Sequence, residues 1–399
     1  MISFSTGASA FYPNSIFYQP SALTGLPNSI EISDFWKIHG SGIGPGTLAQ
    51  TTALGEFFER RHFYREVLPD SISTLTCTLS QKECKEFTAA LIQTSNQPIG
   101  LNRLAEHAFN MSTVIRTKNF TECSIPTACI SLSFYGNKED NDIYPARDTC
   151  GCSFHSSAEA AIFGAIKESI ERQFLIRFWT TGQCSEIISN SSGADLLNLS
   201  TERLLLNSLC LAGEVTIIDI TDRDFPGACL LTLYGCRSKK RNVRYCAGIS
   251  YSETRQKALE KALLELWQTY RFIDVFTETS NSLQLIEDPY LLHFLQCNDF
   301  RTYEEISTTR QLIQANQKNA EQLNTSTLLE KIRELDLNGY LYIRPVEIKS
   351  NLFYFCKFIS PNLFMHMNNA NNINLANRYS DKFTQYFIPA RLSKMVPFP

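Results

Sequence analysis

The pattern of apolar and polar positions along the chain predicts a mixture of strands and helices. Residues 215–220 and 228–234 alternate between apolar and polar side chains, which is typical of half-buried strands. Apolar residues at helical spacing predict long helices from Ser157 to about Trp179 and over residues 252–276. No stretch has the composition of a linker, so we expect one large mixed domain spanning residues 1–399.

Shorter or less regular patterns complete the prediction. Residues 1–35 are predicted to form extended segments and turns, and a glycine-rich loop at residues 40–46 is predicted to lead into a helix ending near residue 66. Residues 137–142 are predicted to form a polar loop. Further helices are predicted over residues 79–110, 196–213 and 288–337, and further strands over residues 125–135, 244–249, 340–348 and 352–359.

Composition and charge exclude several classes of protein. The chain of 399 residues is 43% hydrophobic and 19% charged, which is typical of a globular protein. Its net charge of −3 differs from the basic charge of a non-specific nucleic-acid binder. It has no run of about 18 apolar residues that would span a membrane, and residues 1–18 lack the basic residues of a secretory signal. We therefore expect neither a nucleic acid nor a membrane as partner.

The cysteines indicate a reducing compartment. The chain has 13 of them, an odd number, and no CxxC pair, so we do not expect a disulfide framework. Cys150 and Cys152 are the most closely spaced, but nothing at metal-ligand spacing completes a zinc site around them. We interpret them as buried structural thiols and expect the protein to work in the cytoplasm.

One pattern, Ala-x3-Ala-x2-Glu-x2-(Glu/Gln), occurs in three of the predicted helices. Its members are Ala49, Ala53, Glu56 and Glu59 in the first, Ala161, Ala165, Glu168 and Glu171 in the second, and Ala258, Ala262, Glu265 and Gln268 in the third. Positions i, i+4, i+7 and i+10 lie on one face of a helix. Each helix therefore carries small residues and then acids or amides on one face, and we expect the small residues to admit another helix or a nucleotide.

Paired acids on apolar helices need a positive partner, because burying like charges together is costly. Mg²⁺ binds oxygen ligands and usually lies between a few carboxylates and the phosphates of a substrate. Five glutamates and one glutamine exceed the needs of a single ion. The repeat therefore favours two or more Mg²⁺ ions that hold a triphosphate.

An arginine directly follows the second glutamate in two of the helices, at Arg60 and Arg172. An arginine beside metal-binding acids suits a phosphate oxygen, and the alternative is a structural ion pair with those acids. Repetition of the pattern favours the phosphate role. The chain has no P-loop, no Rossmann motif and no Ser-His or Cys-His nucleophile pattern.

The three motifs together resemble the YcaO family, and within it the cyclodehydratase (D) subunits of microcin B-type azole synthetases. The resemblance covers essentially the whole chain. The segments that carry it, besides the repeat itself, are residues 55–62, 148–155, 231–235, 265–268, 366–369 and 394–399. It implies an α+β fold of mixed sheets and helices, in which three related strand–loop–helix units surround a central nucleotide site.

The resemblance also implies an activity and its cofactors, ATP and Mg²⁺. In that family a Ser, Thr or Cys side chain of a precursor peptide attacks the preceding carbonyl, the oxyanion takes the γ-phosphoryl group of ATP, and loss of phosphate leaves an oxazoline or thiazoline. The acids that match the family's Mg²⁺–ATP ligands are Glu56, Glu59, Glu168, Glu171 and Glu265, and the residues that match nucleotide or phosphate contacts are Thr52, Arg60, Arg172 and Gln268. Residues 395–399 match the proline-containing tail that reaches the active site.

The chain departs from the family pattern in three places. Thr52 replaces a serine, which keeps the hydroxyl group, and Gly44-Pro-Gly46 lacks the lysine of a Gly-Lys-Gly motif. The tail also has fewer prolines than the longer family form. Because no side chain is an obvious base, we hypothesise that the C-terminal carboxylate of Pro399 takes that role beside Arg60 and Arg172.

The resemblance implies three partners: a precursor peptide, a leader-binding subunit related to ubiquitin-activating enzymes, and an FMN-dependent azoline dehydrogenase. Three alternatives stay open at this point. The first is a related enzyme that uses another nucleophile to form a thioamide or amidine. The second is a non-enzymatic peptide-recognition subunit, and the third is a carboxylate–amine ligase with glutamate-bound Mg²⁺. The second alternative predicts decayed acids, whereas all five glutamates are present.

Overall fold

The computed structural model describes residues 15–19, 26–34, 38–45, 47–134, 136–279, 282–286, 288–308, 310–311, 321–348 and 350–398. Its strands, in chain order, are β1 (Ser15–Gln19), β2 (Asn28–Ser33), β3 (His39–Gly44), β4 (Ser71–Ser73), β5 (Phe109–Arg116), β6 (Glu122–Pro126), β7 (Cys152–His155), β8 (Gln183–Cys184), β9 (Glu186–Ile188), β10 (Glu214–Asp219), β11 (Ala228–Gly235), β12 (Tyr245–Ser252), β13 (Arg310–Gln311), β14 (Tyr340–Ile348) and β15 (Asn351–Ile359). Its α-helices are α1 (Thr47–Arg65), α2 (Leu75–Thr78), α3 (Gln81–Thr94), α4 (Leu101–Ala105), α5 (Lys138–Ile143), α6 (Ala158–Thr181), α7 (Asn190–Leu196), α8 (Glu202–Ala212), α9 (Arg255–Glu278), α10 (Pro289–Gln296), α11 (Phe300–Ser307), α12 (Thr325–Glu334) and α13 (Pro389–Leu392).

The described strands form several sheets, and most of their pairings are antiparallel. The largest has the order β4-β5-β14-β15-β7, with β6 also paired to β5. A second sheet has the order β12-β11-β10-β9, and a third the order β1-β2-β3. The short strands β13 and β8 pair in parallel. This mixture of sheets and helices is the α+β arrangement that the resemblance implied.

Three strand–helix units organise the centre of the molecule: β3 with α1, β7 with α6, and β12 with α9. Each helix begins soon after its strand ends and packs against that strand. Each helix also contacts the strand of the next unit, α1 with β7, α6 with β12 and α9 with β3. The three units therefore form a closed ring. Each of the three helices contacts two strands, that of its own unit and that of the next.

Glycines bring the strands close to the helices. A Cβ atom added at Gly42 would overlap the carbonyl oxygen of Ala49, and one added at Gly40 would overlap that of Ala53. The same holds for Gly248 of β12 against the backbone of α9. The prediction that these alanines admit another helix or a nucleotide was wrong here, since they admit the strand of their own unit. The predicted loop at residues 40–46 is largely strand β3 for the same reason.

Helix α6 lies in the main core and is buried on nearly all sides. Its apolar side chains include Ile166, Ile170, Phe174 and Phe178, all fully buried. A helix that is apolar all round belongs in the interior, and an acid on it needs compensation from its neighbours. Glu171 is such an acid, because 7% of it is exposed.

Two long helices and five strands were predicted correctly, and other segments less well. Helices α6 and α9 and strands β10, β11, β12, β14 and β15 lie where the sequence predicted them. The predicted strand over residues 125–135 was wrong, since β6 ends at Pro126 and a short 3₁₀ turn follows. The predicted loop over residues 137–142 contains α5, whose start is capped by the side chain of Asn137. The helical prediction over residues 79–110 missed β5, which begins at Phe109.

The predicted helical stretch over residues 288–337 is interrupted in the structure. It contains α10, α11 and α12, with β13 between the last two. In the part of the chain that is described, no helix has both the length and the hydrophobicity that crossing a membrane requires.

Candidate active site

The first glutamate of each repeat is held by a backbone N–H group of its own unit. Glu56 accepts from the amide of Ser41 at 2.8 Å, and Glu265 accepts from the amide of Ile249 at 2.8 Å. Glu168 accepts from the amide of Gly151. Such bonds fix the direction of a carboxylate and favour its charged form. The fold therefore holds three acids in equivalent places, one in each unit.

The second position of the repeat is an acid in α1 and α6, and the two acids differ in their surroundings. Glu171 reaches across to the next unit and accepts from the amide of Tyr251 at 2.5 Å. Glu59 has no hydrogen-bond partner among the described residues. Burial, together with the charges of Glu168 and Glu56, raises the pKa of Glu59 to about 8, against the opposing charges of Arg60 and Lys357. The carboxylates of Glu59 in the first unit and Glu168 in the second therefore repel each other when both are charged. A cation bound between them would remove this repulsion.

The acids carry more negative charge than their neighbours neutralise. Burial raises the pKa of Glu168 to about 7, although the charge of Arg172 opposes the shift. The pKa of Glu265 is also raised to about 7 by burial, again against Arg172. A raised pKa means that the folded protein disfavours the charged carboxylate. The arrangement is typical of a site that binds a cation, because a bound cation would reverse that preference.

Arg60 and Arg172 each pair with the first acid of their own helix. Arg60 pairs with Glu56 and also lies 3.5 Å from the carbonyl oxygen of His39. Arg172 Nε lies 3.3 Å from Glu168 Oε1. Burial disfavours the charge of Arg172, but Glu168, Glu265 and Glu171 together raise its pKa. Arg172 therefore interacts electrostatically with acids of both the second and the third unit.

Thr52 and Gln268 lie on the same helix faces as the acids. Thr52 is exposed and precedes Glu56 by one turn of α1, and Gln268 is half-buried and follows Glu265 on α9. Neither side chain makes a hydrogen bond within the described part of the chain. Their roles in nucleotide binding stay predictions.

The tail of the chain, residues 394–398, is anchored beside these helices. Val396 and Phe398 are each 1% exposed and belong to the main core. Five side chains bond to successive backbone groups of the tail: Trp179 Nε1 to the Lys394 carbonyl at 2.9 Å, His293 Nε2 to the Met395 carbonyl at 3.1 Å, Asn369 Oδ1 to the Val396 amide at 2.9 Å, Tyr245 OH to the Pro397 carbonyl at 2.8 Å, and Tyr290 OH to the Phe398 carbonyl at 2.8 Å. Pro399 lies outside the described residues.

Tyr290 links the tail to the acids. Burial raises the pKa of its phenol group, and the charges of Arg172 and Glu265 also act on it. These groups therefore lie within electrostatic reach of the residue that holds the Phe398 carbonyl. Tyr290 therefore lies between Phe398, the last described residue, and the charged groups of the second and third units.

Four residues near the acids were missed by the sequence analysis: Glu31, Asp148, Tyr290 and Lys357. Glu31 lies on β2 opposite Ser41 of β3, and burial together with the charge of Glu56 raises its pKa to about 7. Its signal was an acid between two isoleucines of a strand. Asp148 accepts from two backbone amides and adds negative charge near Glu168. For Tyr290 and Lys357 the sequence held no signal, because distant segments bring them to the site.

The donor atoms at the site suit Mg²⁺. They are carboxylate oxygens, which Mg²⁺ prefers. Burial raises the pKa of both nearby thiols, Cys150 and Cys152, well above its usual range, so these thiols stay protonated and are poor metal ligands. Among the residues that the structure describes, no three acidic, histidine or cysteine side chains lie close enough to hold a metal ion by themselves. In proteins, Mg²⁺ is usually held by one or two carboxylates together with phosphate oxygens and water.

Comparisons with known proteins agree with this arrangement. The family model described as YcaO cyclodehydratase, ATP- and Mg²⁺-binding, matches residues 42–363. The microcin B17-processing protein McbD of Escherichia coli is 31% identical over 403 residues, which cover 100% of both chains. The E. coli microcin synthetase McbBCD complex contains a chain with 30% identity and a TM-score of 0.89, covering 100% of this chain and 99% of that one. In the same complex with pro-MccB17 bound, the identity is 31% and the TM-score 0.88, with 97% of each chain covered.

Proposed function

The chain belongs to the YcaO family of ATP- and Mg²⁺-binding cyclodehydratases, and we propose that it is the cyclodehydratase subunit of a synthetase that forms azole rings in a ribosomal peptide, as in microcin B17. The observation that carries the proposal is the set of three glutamates, Glu56, Glu168 and Glu265, each held by a backbone amide of its own unit. This arrangement supports a metal–nucleotide site at the centre of the three units.

The reaction that we propose consumes one ATP for each ring. The hydroxyl or thiol of a Ser or Cys residue attacks the preceding backbone carbonyl carbon and loses its proton to a base. The resulting oxyanion attacks the γ-phosphorus of ATP and releases ADP. Phosphate then leaves with the former carbonyl oxygen, the amide nitrogen loses its proton, and a C=N bond closes the azoline. Overall, peptide and ATP give azoline, ADP and phosphate.

The residues of the repeat hold the nucleotide in this scheme. Glu56, Glu59, Glu168, Glu171 and Glu265 would hold Mg²⁺, which supplies charge neutralisation for the phosphates. Arg60 and Arg172 would contact phosphate oxygens and stabilise the charge that develops during transfer. Thr52 and Gln268 would contact the nucleotide from α1 and α9.

The carboxylate of Pro399 is the proposed base. Support comes from the anchoring of the tail, since Tyr290 bonds to the Phe398 carbonyl and lies within reach of Arg172 and Glu265. A base has to lie within hydrogen-bond distance of the proton that it takes, and this anchoring restricts where the next residue can lie.

The proposed partners follow from the relatives. The related synthetase is a complex of McbB, McbC and McbD and has been observed with pro-MccB17 bound. We propose that this chain likewise acts on a precursor peptide together with a leader-binding subunit related to ubiquitin-activating enzymes and an FMN-dependent azoline dehydrogenase. All 13 cysteines are free thiols, which supports the cytoplasm as the compartment. We also propose that residues 1–399 work as one domain.

The test is a calorimetric titration of the purified chain with Mg²⁺ and a non-hydrolysable ATP analogue. We expect the wild type to bind and Glu168→Gln to lose about 100-fold or more in affinity, since it removes a carboxylate with a supported geometry. Glu159→Gln is the matched control, because Glu159 is exposed in the first turn of the same helix. Equal binding by wild type and Glu168→Gln would contradict the metal–nucleotide site.

A second experiment tests the chemistry. Mass spectrometry of a precursor peptide treated with the chain, its partners and ATP should show loss of water for each ring. Gain of sulfur would indicate the thioamide alternative, and ADP release that depends on a free amine would indicate a ligase. ATP binding without any change in the peptide would favour a recognition subunit.

A further inference from the structure

Lys357 is a buried cation of the large sheet whose side chain lies on the face that packs against α1. In β15 it lies directly opposite Cys152 of β7, so both side chains point to the same face of the sheet. Two positions earlier on that face, Phe355 stacks on His62 of α1 with ring centroids 3.9 Å apart. The ammonium group of Lys357 is therefore directed into the space between the sheet and α1.

Only one hydrogen-bond acceptor holds this ammonium group within the described structure. Lys357 is 6% exposed, and its Nζ donates to the carbonyl oxygen of Asp148 at 3.0 Å. An ammonium group has three N–H donors, and buried donors without an acceptor are costly. Two donors of Lys357 therefore have no acceptor among the residues that the structure describes.

The surroundings of Lys357 place it where the first and second units meet. Its Nζ lies 5.9 Å from the ring centroid of Phe63, which follows Glu59 by one turn of α1. Burial raises the pKa of Glu59, and the charge of Lys357 acts in the opposite direction. The charges of Lys357, Glu59 and Glu168 also act on the pKa of the Cys152 thiol, which burial raises. The cation thus lies beside two of the proposed metal-binding acids.

We propose that Lys357 is a phosphate-binding residue of this site, whose two remaining N–H groups donate to phosphate oxygens of the bound nucleotide. The inference rests on the proposed function. Although Glu59 is near, the structure has no ion pair between it and Lys357 among the described residues. The Asp148 carbonyl holds the ammonium group in place instead, which leaves its charge available to an anion that enters between α1 and α6.

The test uses the full-length protein and three probes: Mg²⁺ with a non-hydrolysable ATP analogue, Mg²⁺ alone, and adenosine. Lys357→Met removes the charge and all three donors, whereas Lys357→Gln keeps a donor for the Asp148 carbonyl and so protects the fold. Lys118→Met is the matched control, because Lys118 is exposed in the turn between β5 and β6 of the same sheet. Thermal unfolding without ligand reports whether each variant is folded.

We expect both Lys357 variants to weaken binding of the Mg²⁺–analogue complex by about 10- to 100-fold, the range for lost charge-assisted hydrogen bonds. Binding of adenosine should not change, and Lys118→Met should match the wild type. Unchanged affinity of folded Lys357→Gln for the analogue would overturn the inference. An equal loss for adenosine or for Mg²⁺ alone would also overturn it, since Lys357 would then act on the fold or on the acids. If the wild type itself fails to bind the analogue, the proposed function fails and this inference fails with it.

Discussion

The acid cluster (Glu56, Glu59, Glu168, Glu171 and Glu265) and the tail (residues 394–398) lie next to each other but are stabilised in opposite ways. In the cluster, burial raises the pKa of three acids to about 7 or 8, and Glu59 has no hydrogen-bond partner among the described residues. In the tail, the carbonyl groups of residues 394, 395, 397 and 398 each accept a hydrogen bond from a side chain. The cluster is incomplete without a ligand, whereas the described tail is complete as folded.

This difference separates two tasks of an active site. A preorganised site holds its groups in position before the reaction, and the rest of the fold supplies the free energy for doing so. Here the strands and the main core supply that free energy. Backbone amides of the strand–helix units orient Glu168 and Glu171, and the apolar side chains of α6, which carries both acids, are packed in the core. Side chains from other elements hold the described tail through hydrogen bonds to its backbone, and we propose that the carboxylate of the next residue, Pro399, acts as the base. Changes at the tail should therefore affect cyclisation, and changes at the cluster should affect nucleotide binding.

The largest expected effect comes from extending the tail. Adding one glycine after Pro399 transfers the terminal carboxylate to a different residue, one position further along the chain. General base catalysis contributes about 100- to 10,000-fold, so we expect the rate of ring formation to fall by at least about 100-fold. Affinity for the Mg²⁺–analogue complex should stay unchanged, as measured by calorimetry.

The extension is compared with a substitution that keeps the carboxylate at its place, Pro399→Ala. This control should retain more activity than the extended chain. Full cyclisation by the extended chain, measured by mass spectrometry of the peptide, would refute the role of the terminal carboxylate.

A smaller effect should follow from loosening one tail anchor. Tyr290→Phe removes the hydroxyl that bonds to the Phe398 carbonyl, and Tyr245→Phe removes the one that bonds to the Pro397 carbonyl. Each loss is worth about 1 kcal/mol, so both variants should lose similar stability in thermal unfolding. Because Tyr290 holds the residue nearest to the end, its loss should lower kcat for cyclisation by about 10-fold, and that of Tyr245 by less.

The two tyrosine variants also test whether the regions are independent. Neither should change the KM for ATP, since the bonds lost are neutral and lie in the tail. Equal loss of kcat in both variants would mean that the tail acts as a single packed unit. A raised KM for ATP in Tyr290→Phe would instead place the phenol in the nucleotide site, beside Arg172 and Glu265.

The sequence predicted the acid cluster better than its surroundings, for physical reasons. Local spacing places Glu56 and Glu59 on one face of α1, because the helical period is a property of the chain itself. The bond from the amide of Tyr251 to Glu171 joins two units, and no local pattern contains it. Lys357 reaches the site through sheet pairing with β7. Strand β3, in which alternate residues are glycines, was predicted to be a loop. The reason for Gly42 is the close approach of β3 to α1, a contact that the local sequence does not reveal.

The smallest expected effect is also the most direct test of charge excess in the cluster. Burial raises the pKa of Glu59 to about 8, from a usual value of 4.5. Between these two values the folded state binds more protons than the unfolded state, so this group lowers the free energy of unfolding as pH rises. Glu59→Gln removes that titration and, since Glu59 has no hydrogen bond in the described structure, loses no partner. Without Mg²⁺, the variant should therefore unfold at a higher temperature than the wild type.

The difference in Tm should grow from about pH 4.5 to about pH 8 and then level off, reaching about 1–4 °C. Taking the difference between the two proteins cancels the titration of groups that do not interact with Glu59. The acids that do, Glu56 and Glu168, lose a repulsive neighbour in the variant and so change the difference in the same direction. With saturating Mg²⁺ and ATP analogue the order should reverse, because ligand binding stabilises the protein that binds more tightly. Tyr245→Phe should show a difference from wild type that does not depend on pH, as its bond carries no charge. A Glu59→Gln protein that is less stable than the wild type at every pH would show that Glu59 is already neutralised in the folded chain, and the cluster would then resemble the tail.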